Sequence, residues 1–240
     1  MRFGINQDMK ENFTDIKKMS NKSWMTSDLH LGHKNIVRGE SEWKDRLYEC
    51  RDFNTLEEHD NAIIDAINKY VAKRDVLYIV GDFCLGGREN IKTYRERINC
   101  ANIHVIMGNH DALLAKNCEF ADGTRAFDLF SSVSYRLYKK IHGVHFDMGH
   151  WAGRVWQGAA HGSINIHGDA HGSLIQYQKL LQIADDPYLF KTGDFYKQQD
   201  VGVDVAYSLF KEWRPFNVDE IIDMMSNRIN LDSKYDSSLN

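Results

Sequence analysis

Five clusters of aspartate, asparagine and histidine each follow a short apolar run in this sequence. The clusters are Asp28-Leu29-His30, Gly81-Asp82, Gly108-Asn109-His110-Asp111, Gly149-His150 and Gly168-Asp169-Ala170-His171. One such cluster is typical of a turn, but five at the ends of predicted strands indicate a shared site. Because functional groups of α/β folds gather outside the carboxyl ends of the strands, we expect the five clusters to lie together.

The ligand types in these clusters predict a metal centre. Carboxylate, imidazole and amide oxygen together suit Mn²⁺, Fe or Zn²⁺ better than Ca²⁺, which prefers oxygen ligands alone. A carboxylate between two cations can bridge them, and such a pair stabilises both the attacking and the leaving oxygens of a phosphoryl displacement. None of the four cysteines lies in a cluster or in a C-x-x-C pair, so we expect free thiols and no thiolate zinc site.

Alternating strands and helices must position the clusters. Apolar runs predict strands within residues 23–30, 75–83, 102–111, 163–169 and 200–205, and a hairpin over 133–150 that turns at His142-Gly143. Helices are predicted over residues 55–73, 90–98 and 217–228, the first of them with a capping box formed by Thr55 and Glu58. This order of elements predicts an α/β domain with mixed sheets.

The composition predicts a single soluble, cytoplasmic domain. The 240 residues are 42% apolar and 27% charged, which is enough for one sizeable core. The charged N-terminus lacks the apolar segment of a signal peptide, and no run reaches the roughly 20 apolar residues that span a membrane. A net charge of −4 does not favour binding to duplex nucleic acid. We predict a polar extension over residues 1–22, the domain over 23–228 and a polar tail over 229–240. The sequence contains no pattern that indicates the oligomeric state.

Several motifs occur in the order found in one enzyme family. TSDLHLGHKNI, VGDF, GNHD, GHWAGRVW, GDAHG and DVGVD, which lie between about residues 24 and 225, resemble motifs of the calcineurin-like metallophosphoesterases, and most of all the small single-domain branch from bacteria and phages. The resemblance implies a four-layer α/β/β/α sandwich of two mixed sheets flanked by helices. It also implies a dinuclear metal-dependent phosphoesterase in which metal-bound hydroxide attacks phosphorus.

The same resemblance assigns metal ligands by position. The first metal would be held by Asp28, His30, Asp82 and His171. The second would be held by Asp82, as the bridging ligand, together with Asn109, His150 and Asp169. The expected cofactor is a pair of divalent cations, with Mn²⁺ first and Fe, Zn²⁺, Ni²⁺ or Mg²⁺ as alternatives.

The remaining site residues are also assigned through the resemblance. His110 would protonate the leaving oxygen or contact the phosphate, and Asn109 would help to hold the phosphoryl oxygens. Asp111 would orient His110. His33 and Asn35 follow the first motif, where they either reach the phosphate or order their loop.

Asp169 departs from the family pattern. It stands where the family has the first histidine of a G-H-x-H motif. His167 precedes Gly168 and should point to the opposite face of a strand, so we do not expect it to substitute. Asp169 either binds the second metal directly, binds it through water, or leaves the second site weak or empty. A carboxylate here adds negative charge, which should raise the pKa of bound water.

The expected activity is hydrolysis of a phosphodiester, such as a cyclic nucleotide or a nucleotide-like compound. The alternative is a metal- or nucleotide-binding protein of the same fold with weak or lost turnover, for which Asp169 would be the sign.

Residues 173–199 form an insert that either covers the site, stacks on a base through its aromatic residues, or packs onto the domain. Trp151 and Trp156 are predicted as core residues, and His59 and His104 as structural or exposed ones.

Overall fold

Two sheets and five α-helices form the framework of the described part of the chain. The computed structural model describes residues 21–174 and 197–226. Its strands are β1 (Ser23–Thr26), β2 (Val76–Val80), β3 (Asn102–Ile106), β4 (Ser132–Ser134), β5 (Arg136–Ile141), β6 (Val144–Gly149), β7 (Ile164–His167), β8 (Gln198–Asp200) and β9 (Phe216–Asn217). Its α-helices are α1 (Leu56–Tyr70), α2 (Arg88–Arg97), α3 (Ala112–Ala115), α4 (Val203–Phe210) and α5 (Val218–Met225).

Both sheets are mixed, as predicted. The first has the order β4-β3-β2-β1-β9, in which β1 to β4 are parallel and β9 runs antiparallel to β1. The second has the order β5-β6-β7-β8, in which the β5–β6 hairpin is antiparallel and the other pairs are parallel. The predicted hairpin turn is present, with His142 and Gly143 between its two strands. The α/β fold with two mixed sheets flanked by helices is therefore confirmed.

The first sheet is buried on both faces, which explains the continuous apolar run of β2. On one face, Leu77 and Ile79 of β2 belong to a core that includes Ile63 and Ile67 of α1. On the other face, the core between the two sheets includes side chains from both: Met25, Tyr78, Val80, Phe146, Met148, Ile164 and Ile166. The second sheet contributes one apolar face to this core. The two sheets therefore pack face to face, and the carboxyl ends of β1 and β2 lie near that of β6.

The helix starts agree with the capping signals in the sequence. Thr55 Oγ1 accepts a hydrogen bond from the Glu58 amide at 3.2 Å, and the Glu58 carboxylate accepts one from the Asn54 amide at 3.0 Å. At α5, Asn217 Oδ1 accepts from the Asp219 amide at 2.9 Å, and the Glu220 carboxylate accepts from the Asn217 amide at 3.1 Å. Both helices therefore begin where the side chains satisfy amides that lack a partner within the helix.

The strand predicted over residues 200–205 is wrong. Strand β8 ends at Asp200, and helix α4 begins at Val203. The alternation of Val201, Val203 and Val205 imitates a strand, but Val203 lies in the core on the α1 side and Val205 in the core between the sheets. Strand β4 lies partly within the predicted hairpin range but pairs with β3 in the first sheet, and β9 was not predicted. Strands of three and two residues carry no periodic signal of their own.

The predicted chain ends fall mostly outside the described ranges. Residues 1–20 and 227–240 contain most of the predicted extension and all of the predicted tail.

Within the described ranges, no helix has the length and apolar character needed to cross a membrane.

Candidate metal centre

The five clusters of aspartate, asparagine and histidine converge at the carboxyl ends of the strands. Asp82 follows β2 and lies between two histidines, with its Oδ2 3.6 Å from His30 Nε2 and 3.4 Å from His150 Nε2. His30 follows β1 of the first sheet, and His150 follows β6 of the second. The site therefore lies where the ends of the two sheets meet, and one carboxylate reaches both halves of it.

Asp28, His30 and His171 form the first half of the site. The Nε2 atoms of the two histidines are 3.3 Å apart. Asp28 Oδ1 is 4.0 Å from Nε2 of His30 and 3.8 Å from Nε2 of His171. Three ligand atoms from distant parts of the chain thus face one small volume, as the ligands of a single cation do.

His150 is at the centre of the second half. Its Nε2 lies 3.1 Å from Asn109 Oδ1, 3.4 Å from Asp82 Oδ2 and 3.6 Å from Asp169 Oδ1. A single ring N–H cannot serve three oxygens at once, so the arrangement is the one expected of oxygen and nitrogen ligands around an ion. The structure brings together all seven residues that the sequence suggested as ligands.

The residues present fit divalent cations. Asp28 Oδ2 is buried and has no hydrogen-bond partner in the described ranges, and an unpaired buried carboxylate oxygen is costly unless a cation compensates it. Three sets of ligand atoms lie within 4.8 Å of one another: Asp28, His30 and His171; His30, Asp82 and His110; and Asp28, Asp82 and His150. His110 belongs to one set, although the sequence suggested that it is not a ligand.

Strained backbone marks the site. Asp28, His30, Asp82, Asp169 and His171 have φ values of 57°, 50°, 56°, 63° and 47°. They are five of the eight non-glycine residues with positive φ in the described ranges. Left-handed conformations cost free energy at such residues and persist where the surroundings impose them, typically at functional sites. The strain therefore supports a functional role that residue types alone could only suggest.

Glycine makes the close approach of His150 possible. Gly81 has φ +96°, and a Cβ there would lie 2.0 Å from His150 Nδ1. With no side chain at this position, the ring packs against the end of β2, where Nδ1 lies 2.8 Å from the Val80 carbonyl oxygen. Since a carbonyl only accepts, Nδ1 carries the proton and donates, which holds the ring with Nε2 toward the site.

Asp111 contacts the loop backbone. Its Oδ2 accepts hydrogen bonds from the amides of Gly108 and Asp82 at 2.8 and 2.9 Å, and its Oδ1 accepts one from the Phe83 amide at 3.0 Å. These three bonds all go to backbone amides and none to the His110 ring. Asp111 fixes the two loops that carry Asp82 and His110, because its two oxygens accept from three amides of those loops, and any influence on His110 therefore passes through the backbone.

His110 is exposed at the edge of the site, as its expected role requires. Its ring centroid is 5.2 Å from that of His30 and 5.6 Å from that of His33. Its amide donates to Asp82 Oδ1 at 2.9 Å. Asn35 Oδ1 accepts from the Glu42 amide at 3.0 Å, which favours the interpretation that Asn35 orders its loop.

Burial and the neighbouring charges shift the pKa values of the site residues. Burial raises the pKa of Asp28 to about 7. Burial alone would lower the pKa of His150, but the hydrogen-bonded carboxylate of Asp82 more than offsets it and raises the pKa to about 9. Burial, followed by the charge of Arg51, holds the pKa of His30 well below its ordinary value. These pKa shifts favour the protonated form of His150 beside the Asp82 carboxylate and the neutral form of His30.

Sequence reasoning gave no functional role to three residues beside the site. Arg51 is buried and reaches the backbone of the first motif, with no local pattern that could have shown it. His59 is fully buried against Arg51, so its predicted structural role fits but exposure does not. Asp204 lies in the last quoted motif, and its Oδ2 is 2.7 Å from His171 Nδ1.

The aromatic predictions have mixed outcomes. Trp156 is 7% exposed and belongs to the core, as predicted, whereas Trp151 is 53% exposed and the core prediction is wrong for it. The Trp151 ring lies edge-on to His150, with centroids 5.3 Å apart. His167 is buried and its Nδ1 lies 3.3 Å from the Gly168 carbonyl oxygen. The aromatic residues of the predicted insert, within 177–196, lie outside the described ranges.

This chain belongs to the calcineurin-like phosphoesterase family, whose model it matches over residues 22–155. The matched range contains the first four clusters, and Asp169 and His171 follow it.

Relatives share parts of the chain. The gene 66 protein of Mycobacterium phage L5 is 34% identical over 103 residues, which cover 39% of this chain and 41% of that protein. An uncharacterized protein of Methanocaldococcus jannaschii is 33% identical over 92 residues, which cover 38% of this chain and 47% of that protein. These matches span less than half the length of either relative. A protein of unknown function from Aquifex aeolicus shares the fold, with a TM-score of 0.57, 15% identity, and coverage of 85% of this chain and 100% of that chain.

Proposed function

We propose that this protein is a dinuclear metal-dependent phosphoesterase that acts on phosphodiesters. The observation that carries the proposal is the position of Asp82, whose Oδ2 lies 3.6 Å from His30 Nε2 and 3.4 Å from His150 Nε2. A carboxylate between two groups of nitrogen and oxygen ligands is suited to bridge two cations. Membership of the calcineurin-like phosphoesterase family supports the same reaction class.

Seven residues would hold the two cations. Asp28, His30 and His171 would bind the first, Asn109, His150 and Asp169 the second, and Asp82 both. When bound, two divalent cations supply Lewis acidity and a nucleophile at neutral pH. The mixture of imidazole and carboxylate suits Mn²⁺, with Fe, Zn²⁺, Ni²⁺ and Mg²⁺ as alternatives.

His110 is the group we assign to the leaving oxygen. Its ring is exposed beside the ligands, whereas His30 and His150 are buried. An exposed imidazole next to the scissile bond can donate a proton as the ester oxygen departs. His33 lies beside it and packs on Trp43 with centroids 5.6 Å apart, so it can contact the phosphate from the same side.

A nucleotide-like diester is the proposed substrate. Trp151 exposes 53% of its surface beside His150, and an exposed indole offers a surface on which a base can stack. Duplex nucleic acid is disfavoured because the chain has a net charge of −4. The alternative function, a metal- or nucleotide-binding protein with weak turnover, is favoured only by Asp169, which differs from the family pattern.

The test is hydrolysis of bis-p-nitrophenyl phosphate and p-nitrophenyl phosphate with Mn²⁺, before and after EDTA. We expect cleavage of the diester that EDTA stops, loss of activity in Asp82→Asn, and wild-type activity in Asp65→Asn, a control on the exposed face of α1. Two bound metal equivalents with no cleavage of either ester would favour the binding protein. One or no equivalent would remove the dinuclear centre altogether.

A further inference from the structure

The buried guanidinium of Arg51 uses every one of its donors beside the first half of the site. Nε and Nη2 donate to the two carboxylate oxygens of Asp204 at 2.9 and 2.8 Å. Nη2 also donates to the Asp28 carbonyl oxygen at 2.7 Å, and Nη1 donates to the Leu29 carbonyl oxygen at 3.1 Å. The fifth bond runs from Nη1 to His59 Nε2 at 2.9 Å. Five N–H groups meet five acceptors, and a lysine has only three donors.

Asp204 extends these contacts to a metal ligand. Its Oδ2 accepts from His171 Nδ1 at 2.7 Å, which leaves His171 Nε2 facing Asp28 and His30. Arg51 therefore holds the backbone of Asp28 directly and the ring of His171 through one carboxylate. These two residues are 143 positions apart in the chain, and both have positive φ.

The opposite side of Arg51 is fixed by a second set of contacts. Arginine cannot accept a hydrogen bond, so His59 accepts through Nε2 and donates through Nδ1 to Asp60 Oδ1 at 2.8 Å. Asp60 also accepts from Tyr94 Oη at 2.6 Å and from the Gly32 amide at 3.2 and 3.1 Å. The guanidinium is thus held by side chains of α1 and α2.

We propose that Arg51 is a positioning residue that sets the affinity of the first metal site by fixing Asp28 and His171 relative to each other. The proposal rests on the proposed function, since it needs a metal in that site. Partners of metal-ligating histidines orient the ring, and their loss typically lowers metal affinity by about 10- to 100-fold. Arg51 reaches His171 only through the Asp204 carboxylate, but it donates directly to the carbonyl oxygen of Asp28.

The competing explanation is that Arg51 only stabilises the fold. Removing a buried arginine that is paired with a carboxylate destabilises a protein wherever the pair lies, because it leaves a buried charge without a partner. Arg214 provides the matched control: it donates to Glu220 at 2.9 and 3.1 Å, and in the described ranges no ligand of the proposed centre contacts it.

The experiment is a calorimetric Mn²⁺ titration of Arg51→Lys, Asp204→Asn and Arg214→Lys, with the visible spectrum of the Co²⁺-loaded proteins as a second readout. We expect Arg51→Lys to bind about 10- to 100-fold more weakly at one site, the same site that His171→Ala loses, with a changed Co²⁺ spectrum. The other site should keep its affinity, and Arg214→Lys should match wild type in both readouts.

A folded Arg51→Lys with wild-type affinities and spectrum would overturn the proposal, and so would an equal loss at both sites. If Arg51→Lys does not fold, Asp204→Asn decides by the same two results, because Asn keeps the shape and removes the charge. Failure of the proposed function looks different. The wild-type protein would then bind no metal, or it would bind two metal equivalents and cleave neither ester, and in the second case the Mn²⁺ affinities of Arg51→Lys still decide the role of Arg51.

Discussion

The side chain of Asp169 points at the ring of His150, with its Oδ1 3.6 Å from Nε2. Its amide also donates to Asp28 Oδ1 at 3.1 Å, and φ at Asp169 is 63°. The residue that departs from the family pattern is therefore directed into the site, with a side chain that is 43% exposed. A carboxylate in this place fits a ligand that binds the second metal directly or through water.

Removing this carboxylate should weaken the second metal site. We expect Asp169→Ala to bind the second Mn²⁺ at least about 10-fold more weakly, since even indirect partners of a metal contribute that much. Asp169→His should keep two metals, favour Mn²⁺ less, and show activity that rises at lower pH, because one negative charge is gone. Metal titration of both variants beside wild type measures this, and unchanged binding in Asp169→Ala would show that Asp169 is only a loop residue.

The role of His110 can be separated from metal binding. We expect His110→Ala to keep two metal equivalents while activity falls by roughly 10²- to 10⁴-fold, the usual contribution of acid–base catalysis. The loss should be smaller for p-nitrophenyl esters, whose leaving group needs little protonation. Metal content and rates on two esters of different leaving-group pKa check this. Loss of metal together with activity would make His110 a ligand, as its place in one of the ligand sets allows.

Gly81 should be intolerant of any side chain. In Gly81→Ala the Cβ would lie 2.0 Å from His150 Nδ1, so the ring must move and the second site should lose its metal. Gly123 is the matched control, because it has φ +81° but no heavy atom within 4 Å of the position of a Cβ. We expect Gly123→Ala to cost only backbone strain, of order 1–3 kcal/mol, and to keep both metals. Thermal melting and metal analysis compare the two, and equal effects would argue against the close packing of His150.

The position of the site could be predicted from the sequence, but its supporting contacts could not. The ligand clusters stand at the ends of apolar runs, and parallel strands place those ends at one edge of the sheet. Arg51 has no such local signal, because its partners Asp28, His59 and Asp204 lie 23, 8 and 153 positions away in the chain. Helix α4 could not be predicted because the two cores that its valines contact are not visible in the local sequence. Val203 lies in one core and Val205 in the other, and their alternation with polar residues is typical of a strand.

Metal binding should release protons near neutral pH. Burial raises the pKa of Asp28 to about 7, and although burial alone would lower that of His150, the Asp82 carboxylate raises it to about 9. His171 belongs with them, since burial alone would lower its pKa but the Asp204 carboxylate raises it. All three groups must lose their protons to bind a cation, so more than about one proton should leave at pH 7 as both sites fill. Because binding releases protons, affinity for Mn²⁺ should increase as pH rises through 7 and continue to increase toward about 9, where His150 becomes neutral.

Calorimetric titration of the metal-free protein in buffers of different ionisation enthalpy counts these protons. A titration of EDTA with Mn²⁺ in the same buffers serves as the calibration, since its proton release is set by the chelator alone. In metal-free Asp82→Asn the anionic partner of His150 is gone, so the pKa of His150 should fall, which a titration of its ring followed by NMR measures without any metal. Proton release close to zero in the wild-type protein would mean that the buried aspartate is already ionised and the two histidines already neutral before the metals bind.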